Sequence, residues 1–265
     1  MSNTNSYPHG TFSWADLRTT DGEAAKAFYT GVFGWEVVDN PIPGGGVYTM
    51  LQQDGIDVVA LSEMTDGEKE QGVPPHWNSY ITVDDVEAAT AKAAELGATV
   101  MMPAMDVMDA GRMALIKDPT DAYVSLWQAK MHKGAGIFNV PNTMGWNELQ
   151  THDTEAAKSF YTTLFGWTSE TDAQGYTAWM NNGRANGGMM QIGEDMGPVP
   201  ANWGIYIAVE DCAATVAQIT EAGGSVVVPP FPAGGVGTIS VVRDPQGGIF
   251  SVIEMSQADT TLPGE

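Results

Sequence analysis

Cysteine, positive charge and long apolar runs are all scarce in this sequence of 265 residues. Cys212 is the one cysteine, so no disulfide framework can form, which is typical of a reducing compartment. It follows Asp211 at a predicted helix start, with no histidine beside it, and we interpret it as a buried structural residue. No apolar run approaches the roughly 18 residues of a membrane helix, and the first ten residues do not resemble a signal peptide. The sequence therefore predicts a cytoplasmic protein.

The charge is strongly one-sided. Lysine and arginine number 11 against 33 acidic residues, which gives a formal net charge of −22. Because phosphate groups would be repelled at long range, nucleic acid and anionic membranes are not expected as partners. A neutral or cationic small molecule fits this charge better. A solvated acidic surface that keeps the protein soluble is the simpler explanation of the same excess.

A stretch of 22 residues occurs twice. Residues 14–35 and 146–167 are identical at 14 of these 22 positions, at a constant offset of 132. Each copy begins with the alternation of a strand, and an N-capping aspartate (Asp21 or Asp153) then leads into apolar residues at helical spacing. A Gly-Trp pair ends each copy, which predicts a strand, a helix and an exit into the next strand.

Each half also repeats within itself. An alternating strand that starts at Asn78 leads through Asp85 into an alanine-rich helix, and the pattern recurs at an offset of 126, with Asp211 in place of Asp85. Short strand-like runs follow every predicted helix. The sequence thus predicts an α+β fold of four βαβββ modules. The predicted boundaries are 8–130 for a first domain (modules 8–66 and 74–130), 131–143 for a linker and 144–257 for a second domain (modules 144–194 and 200–257).

Several motifs resemble one known superfamily. The helices carry FYxxxFGW and VDDVEAA, and the strand pairs read GRMALIKDPTDAYVSLWQ and GTISVVRDPQGGIFSVIE. These resemble the vicinal oxygen chelate superfamily of glyoxalase I, extradiol dioxygenases, fosfomycin resistance enzymes and bleomycin-binding proteins. The resemblance covers residues 10–257 and is greatest to tandem glyoxalase-like proteins of actinobacteria, of the antigen or "hydroxylase" type. It implies mixed sheets curled into cups, with the helices outside, but not one function, because lyases, oxygenases and binders share the fold.

The resemblance also implies metal ligands on the first and last strands of the modules. The corresponding positions are occupied by Trp14, Asn78, Ser125, Trp146, Gly204 and Ser251. A divalent metal site needs about three ligands from histidine, carboxylate or thiolate. We therefore expect no metal and no other cofactor. Of the four histidines, only His76 is near enough to a first-strand position to reach a cup, and a surface histidine at the entry of a strand is the simpler interpretation.

Strand alternation predicts which side chains line the cups. If Trp14 faces inward, so do Phe12, Asp16 and Arg18. The candidate ligand-binding residues are Trp14, Arg18, Asn78, Tyr80, Tyr123, Ser125 and Trp127 for the first cup, and Trp146, Tyr206 and Ser251 for the second. The first cup is richer in aromatic residues, which suits a flat aromatic ligand. Plain core packing explains the same aromatic residues without any ligand.

Asp16 and Glu148 are the candidate catalytic residues. They occupy matching places in the two copies, and a carboxylate in an apolar cup has a raised pKa and can act as a general base. The structural alternative is an ion pair, because buried charges are commonly paired. Arg18 lies two residues along on the same face and is the predicted partner of Asp16.

Three functions are compatible with this pattern. The first is metal-independent binding of a planar or cationic aromatic small molecule, for sequestration and resistance or for hydroxylase-like tailoring of an aromatic natural product. The second is a metal-dependent lyase or dioxygenase of the glyoxalase I or extradiol type, which the missing ligands disfavour. The third is a structural relic whose cups are filled by side chains. An enzyme of this kind would be a lyase or oxygenase with little need of cofactors. A cup could pair modules of one domain or of different domains, and the chain could be a monomer or a homodimer.

Overall fold

The protein is described over residues 6–257 by a computed structural model. The first half contains the strands β1 (Phe12–Thr19), β2 (Glu36–Pro41), β3 (Val47–Gln53), β4 (Ile56–Glu63), β5 (His76–Thr82), β6 (Thr99–Val107), β7 (Gly111–Lys117) and β8 (Tyr123–Ala129). Its helices are α1 (Gly22–Phe33), α2 (Asp66–Glu70) and α3 (Val86–Glu95). The sequence patterns predicted all of these except α2.

The second half repeats this order. Its strands are β9 (Met144–Thr151), β10 (Thr168–Thr171), β11 (Thr177–Asn181), β12 (Arg184–Gln191), β13 (Asn202–Ala208), β14 (Ser225–Ala233), β15 (Gly237–Arg243) and β16 (Ile249–Met255). Its α-helices are α4 (Thr154–Phe165) and α5 (Cys212–Glu221), and a short 3₁₀ helix, Glu194–Met196, stands in the place of α2. No helix within residues 6–257 is long and apolar enough to cross a membrane.

Each half forms one eight-stranded mixed sheet, which confirms the predicted α+β fold. The strand orders are β2-β3-β4-β1-β5-β8-β7-β6 and β10-β11-β12-β9-β13-β16-β15-β14. The two modules of a half meet where β1 pairs antiparallel with β5, with Asp16 opposite Asn78. In the second half β9 pairs with β13 in the same way, with Glu148 opposite Gly204. Each cup therefore pairs modules of one half, and Trp14 faces Tyr80 rather than Tyr206.

The repeated helices have the capping residues and the buried apolar faces that the sequence predicts. The Asp21 side chain accepts a hydrogen bond from the Ala24 amide at 3.0 Å, and Asp153 does the same for Ala156. Gly34 ends α1 with a φ of 70°, a conformation in which a Cβ would be strained. The apolar faces of α1 and α4 are buried, so these helices are held by packing as well as by their caps.

A β-bulge changes the face on which Phe12 lies. The register between β1 and β5 shifts between Phe12 and Trp14, so one extra residue sits in β1. Phe12 therefore does not line the first cup as alternation predicted. Its ring packs at the junction of the two halves, with its centroid 5.8 Å from that of Trp167 and 4.8 Å from that of Trp203.

Two reciprocal hydrogen bonds join the halves. The Tyr29 hydroxyl on α1 donates to Asp244 Oδ2 in the β15–β16 turn at 2.9 Å. The Tyr161 hydroxyl on α4 donates to Asp118 Oδ2 in the β7–β8 turn at 2.7 Å. All four residues are buried. The repeated FYxxxFGW motif therefore builds the junction between the halves, while the strands before it build the cups.

Candidate functional site

Asp16 is the centre of a hydrogen-bonded group in the first cup. Its Oδ2 accepts from the Tyr80 hydroxyl at 2.7 Å and from the Tyr48 hydroxyl at 3.0 Å, and its Oδ1 accepts from Asn78 Nδ2 at 2.9 Å. The Tyr48 hydroxyl also accepts from Trp14 Nε1 at 2.9 Å. Asp16 is only 3% exposed. The first cup thus holds a buried carboxylate that is bound by neutral donors alone.

Glu148 has the same role in the second cup. Its Oε1 accepts from the Tyr206 hydroxyl at 2.8 Å, and Tyr176 and Gln150 also hydrogen-bond to the carboxylate. Burial raises the pKa of Glu148, and these hydrogen bonds offset only part of the effect. Trp146 Nε1 donates to the Tyr176 hydroxyl at 2.9 Å, as Trp14 does to Tyr48.

The predicted ion pair between Arg18 and Asp16 is wrong. Arg18 Nη2 donates to Glu68 Oε2 at 2.5 Å, and its Nη1 donates to Ser62 Oγ at 2.6 Å. The reason is the unpredicted helix α2, which begins with a capping box between Thr65 and Glu68 and brings the Glu68 carboxylate to Arg18. Arg18 therefore lies at the rim of the cup as a partner of α2.

The remaining first-cup candidates separate into two groups. Ser125 is buried and lies opposite Tyr80 in the pairing of β5 with β8, and Trp127 is buried two residues further along. Tyr123 is 47% exposed at the beginning of β8, so its side chain is not part of the cup interior. In the second cup, Ser251 lies opposite Tyr206 in the same register. Within each cup the structure thus brings the candidate residues together, with the exception of Arg18 and Tyr123 in the first cup.

His132 is a cup residue that sequence reasoning placed in the linker. Its ring lies edge-on to Trp14, with centroids 4.5 Å apart, and its carbonyl accepts from Trp127 Nε1 at 3.1 Å. The Nε2 atom is buried without a hydrogen-bond partner, and desolvation lowers the pKa of the ring. His76 is the first residue of β5 and lies opposite Arg18, with its Nδ1 against the Pro74 carbonyl, which agrees with a histidine at the entry of a strand.

Tyr48 and Tyr176 are further cup residues that the predicted lining did not include. That prediction considered only the first and last strands of each module, whereas these tyrosines lie on β3 and just before β11. A signal was present, since Tyr48 and Tyr176 stand at matching places in the duplicated sequence, at an offset of 128 (176 − 48), where β3 and β11 pair with β4 and β12. Their hydroxyl groups connect each tryptophan with its carboxylate.

The donors present do not fit a divalent metal. At the positions to which the resemblance assigns ligands, Trp14 and Trp146 donate their indole N–H groups to tyrosines, and Gly204 has no side chain. Within residues 6–257 no group of three or more histidine, cysteine, aspartate or glutamate side chains could hold a metal ion. An amide and a hydroxyl in the first cup are too weak a ligand set by themselves.

Cys212 is buried beneath the start of α5, as expected for a structural residue. Burial and the nearby Glu254 raise its pKa to about 11, so the thiol is protonated at neutral pH. Glu254 itself accepts from the Cys212 amide at 3.0 Å, on the opposite face of β16 from Ser251.

The fold and the paired cups define the class of the protein. The model of the glyoxalase/bleomycin resistance protein/dioxygenase superfamily matches residues 11–126 and again residues 143–251. The chain belongs to this superfamily, as a tandem of two such units.

Three similar proteins illustrate the range of the superfamily. The chain is 46% identical over 253 residues to the protein named "Putative glyoxylase CFP32" of Mycobacterium tuberculosis, covering 94% of this chain and 96% of that one. It is 34% identical over 262 residues to the anthracycline biosynthesis protein DauV of a Streptomyces species, covering 94% of both chains. In fold it is similar to the Mn(II)-bound glyoxalase of Novosphingobium aromaticivorans, with a TM-score of 0.66 and 15% identity over 98% of this chain and 87% of that one.

Proposed function

We propose that the chain binds a planar aromatic compound, neutral or cationic, in a cup and without a metal ion. The observation that supports this is the buried carboxylate in each cup. Within residues 6–257 the hydrogen-bond partners of Asp16 and Glu148 are tyrosine hydroxyls and side-chain amides, and neither carboxylate has a cationic partner. A cationic ligand supplies the positive charge that these partners lack, and a ligand hydroxyl adds one more donor, because an ionised carboxylate can accept about four hydrogen bonds.

The aromatic character of the ligand follows from the walls of the cups. Trp14, Tyr80 and Trp127 surround the first carboxylate, and Trp146 and Tyr206 lie beside the second. Such rings favour flat apolar ligands through offset stacking, and cations through the faces of the rings. The similarity to a protein of anthracycline biosynthesis agrees with a small-molecule ligand.

The same geometry is compatible with sequestration of the ligand or with its chemical tailoring. Tailoring that removes a proton needs an acceptor, and Glu148 is suited to this role because burial raises its pKa and makes the carboxylate a stronger base. A metal-dependent lyase or dioxygenase is the second candidate, and the ligand set argues against it.

Fluorescence titration tests the proposal. Eight tryptophans report on binding, and 1,8-dihydroxyanthraquinone and the cationic 9-aminoacridine serve as probes. We expect saturable quenching at micromolar concentrations, and binding at least about tenfold weaker, about 1.4 kcal/mol, for the double variant Asp16→Asn with Glu148→Gln. Absence of quenching by both probes, or unchanged affinity in the double variant, would contradict the proposal.

Metal analysis of the purified protein tests metal independence separately. We expect no stoichiometric transition metal and the same affinity for the probe after dialysis against a chelator. One equivalent of a bound transition ion that is required for probe binding would favour the metal-dependent candidate instead.

A further inference from the structure

The hairpin of β6 and β7 forms one side of the first cup. Residues that lie opposite each other on neighbouring strands point to the same face of a sheet. Met113 lies opposite Trp127, which belongs to the cup, and Met105 lies opposite Met113. One row of side chains therefore runs along the cup face from Trp127 through Met113 to Met105 at the edge of the sheet.

A second row lies beside the first. Leu115 lies opposite Ser125, and Met102 lies opposite Leu115. Ser125 continues this row to Tyr80, whose hydroxyl donates to Asp16. We call Met102, Met105 and Met113 the methionine wall. The wall is thus continuous with the aromatic side chains around the buried carboxylate.

The methionine wall is open to solvent, whereas the side chains next to it are buried. Met105 is 46% exposed, and Met102 and Met113 are half-buried. Trp127 is buried, and its indole lies over Gly111, where a Cβ would clash with the ring. An exposed apolar surface therefore begins where the buried aromatic cluster ends, and contiguous surfaces of this kind mark binding sites.

The charged residues beside the wall lie on the other face of the hairpin. Asp106 and Arg112 are opposite each other and are the sequence neighbours of Met105 and Met113. Arg112 Nη2 donates to Glu87 of α3 at 2.7 Å, so these charges are on the side of the sheet that carries the helix. The wall therefore suits an apolar ring system, with which polarisable sulfur atoms make favourable contacts.

The second half has an apolar surface at the same place, but without sulfur. At the offset of 126 the three methionines correspond to Val228, Phe231 and Ile239. Phe231 lies opposite Ile239, as Met105 lies opposite Met113. Phe231 is 40% exposed, so the exposed apolar surface is common to both halves, and the thioethers are a property of the first.

We propose that the methionine wall is the surface of the first cup against which the ring system of the ligand lies, and that oxidation of its sulfur atoms abolishes this binding. The inference rests on the proposed function and makes its first cup sensitive to oxidants. Hydrogen peroxide breaks its O–O bond, transfers one oxygen atom to a thioether sulfur and is itself reduced to water, which leaves a sulfoxide. Because the sulfoxide is polar, it removes the apolar contact that a flat ring needs.

NMR of ¹³C-labelled methionine methyl groups tests the contact directly. We expect the signals of Met102, Met105 and Met113, assigned from single Met→Leu variants, to shift when 1,8-dihydroxyanthraquinone is added. The reason is that an aromatic ring lying on a methyl group changes the shielding of that group. Met131 in the linker, which is 75% exposed, is the control, and its signal should not shift.

Treatment with hydrogen peroxide tests the role of the sulfur atoms. The measurements are made in the Glu148→Gln background, which weakens the second cup under the proposed function, so that quenching reports on the first. We expect the affinity for the probe to fall about tenfold or more on treatment, with an unchanged circular dichroism spectrum.

Two variants in the same background are matched to this experiment. The triple variant Met102→Val, Met105→Phe and Met113→Ile carries the residues that the second half has in the same register, so it should fold, and peroxide should not change its affinity. Met131→Leu removes an exposed methionine outside the wall and should leave the sensitivity to peroxide as it is.

The outcomes separate the two proposals. If the probe binds without shifting any of the three methyl signals, or if the triple variant loses as much affinity on treatment as its parent, the inference is overturned and the proposed function stands. If the probe does not bind to the wild-type protein, the proposed function itself fails. If peroxide converts a dimer into monomers in analytical ultracentrifugation and leaves the probe affinity unchanged, the wall contacts a second copy of the chain, and the inference is again overturned.

Discussion

The two cup carboxylates differ in the residue that lies opposite them on the neighbouring strand. Asn78 donates to Asp16 in the first cup, whereas the equivalent Gly204 offers Glu148 no side chain. A Cβ at Gly204 would meet its nearest atoms at 3.7 and 3.8 Å, in ordinary contact, so the glycine leaves space beside the carboxylate. Each carboxylate is bound by three side chains, but Glu148 has more room beside it than Asp16, so it is the better candidate for contact with a ligand.

The raised pKa of Glu148 predicts a pH-dependent effect on stability. Because its folded-state pKa is raised, the stabilisation from this group is complete below its unfolded pKa and is lost as the pH rises through the folded value. Glu148→Gln imitates the protonated acid, so its melting temperature should match that of the wild type near pH 4 and exceed it near pH 8. Thermal unfolding at both pH values measures this difference.

The control for this experiment is Glu170→Gln on the exposed strand β10, which removes one surface charge. A Glu148→Gln variant that is less stable than the wild type near pH 8 would show that the carboxylate is needed in its ionised form, contrary to the expectation.

At the level of elements, strand alternation predicted the sides of the cups but not their ends. It correctly placed Trp14, Asp16, Tyr80 and Ser125 on one face, because the period of two holds along a regular strand. Strand alternation placed Phe12 on the wrong face, because a bulge adds a residue to β1 that the local sequence does not predict. The helix α2 was also missed, although Thr65 and Glu68 have the spacing of a capping box.

The linker shows a second limit of sequence reasoning. Its glycines and proline predict only that it connects the halves. They do not predict that residues 132–136 pack on β1 and β4, which the structure shows. That packing depends on tertiary contacts with Trp14 and with the carbonyls of Ser13 and Asp57. The duplication could have suggested that both strands need a cover at this end, but not which segment supplies it.

His132 allows the contribution of the linker to stability to be tested. Its Nε2 is buried without a partner, which costs about 1–3 kcal/mol, while its ring packs on Trp14. His132→Phe keeps the ring and removes the unpaired nitrogen, so we expect the free energy of unfolding to rise by about 1 kcal/mol. His132→Ala loses the ring and should lower it by about 1–3 kcal/mol.

Urea denaturation followed by tryptophan fluorescence measures both changes. Equal destabilisation by His132→Phe and His132→Ala would mean that the imidazole nitrogen has a bonding partner in solution.

For the whole molecule, the duplication predicted two similar units, and the structure adds how they are joined. The helical spacing predicted a buried face of Ala25, Phe28, Tyr29 and Val32. The first three are buried, whereas Val32 is only partly buried and Phe33 is buried as well. The sequence did not predict that the Tyr29 hydroxyl crosses to Asp244, because a contact over 215 residues leaves no periodic signal. The Asp-Pro turns between β7 and β8 and between β15 and β16 supply the acceptors, Asp118 and Asp244, at the junction.

These reciprocal pairs predict that the junction contributes strongly to stability. Trp77 Nε1 donates to the Tyr29 hydroxyl at 3.3 Å, and Trp203 Nε1 donates to the Tyr161 hydroxyl at 2.7 Å, so each hydroxyl joins an indole to a buried aspartate. Tyr161→Phe leaves the indole and Asp118 each without one partner and should cost about 1–3 kcal/mol.

Tyr29→Phe is expected to cost a similar amount, and the double variant should approach the sum, because the two pairs share no residues. Tyr123→Phe, at a tyrosine that is 47% exposed, is the control and should change the free energy of unfolding by less than about 0.5 kcal/mol. Urea denaturation measures all four variants. Costs no larger than that of the control would show that the packed rings around Tyr29 and Tyr161, rather than their hydroxyl groups, hold the two halves together.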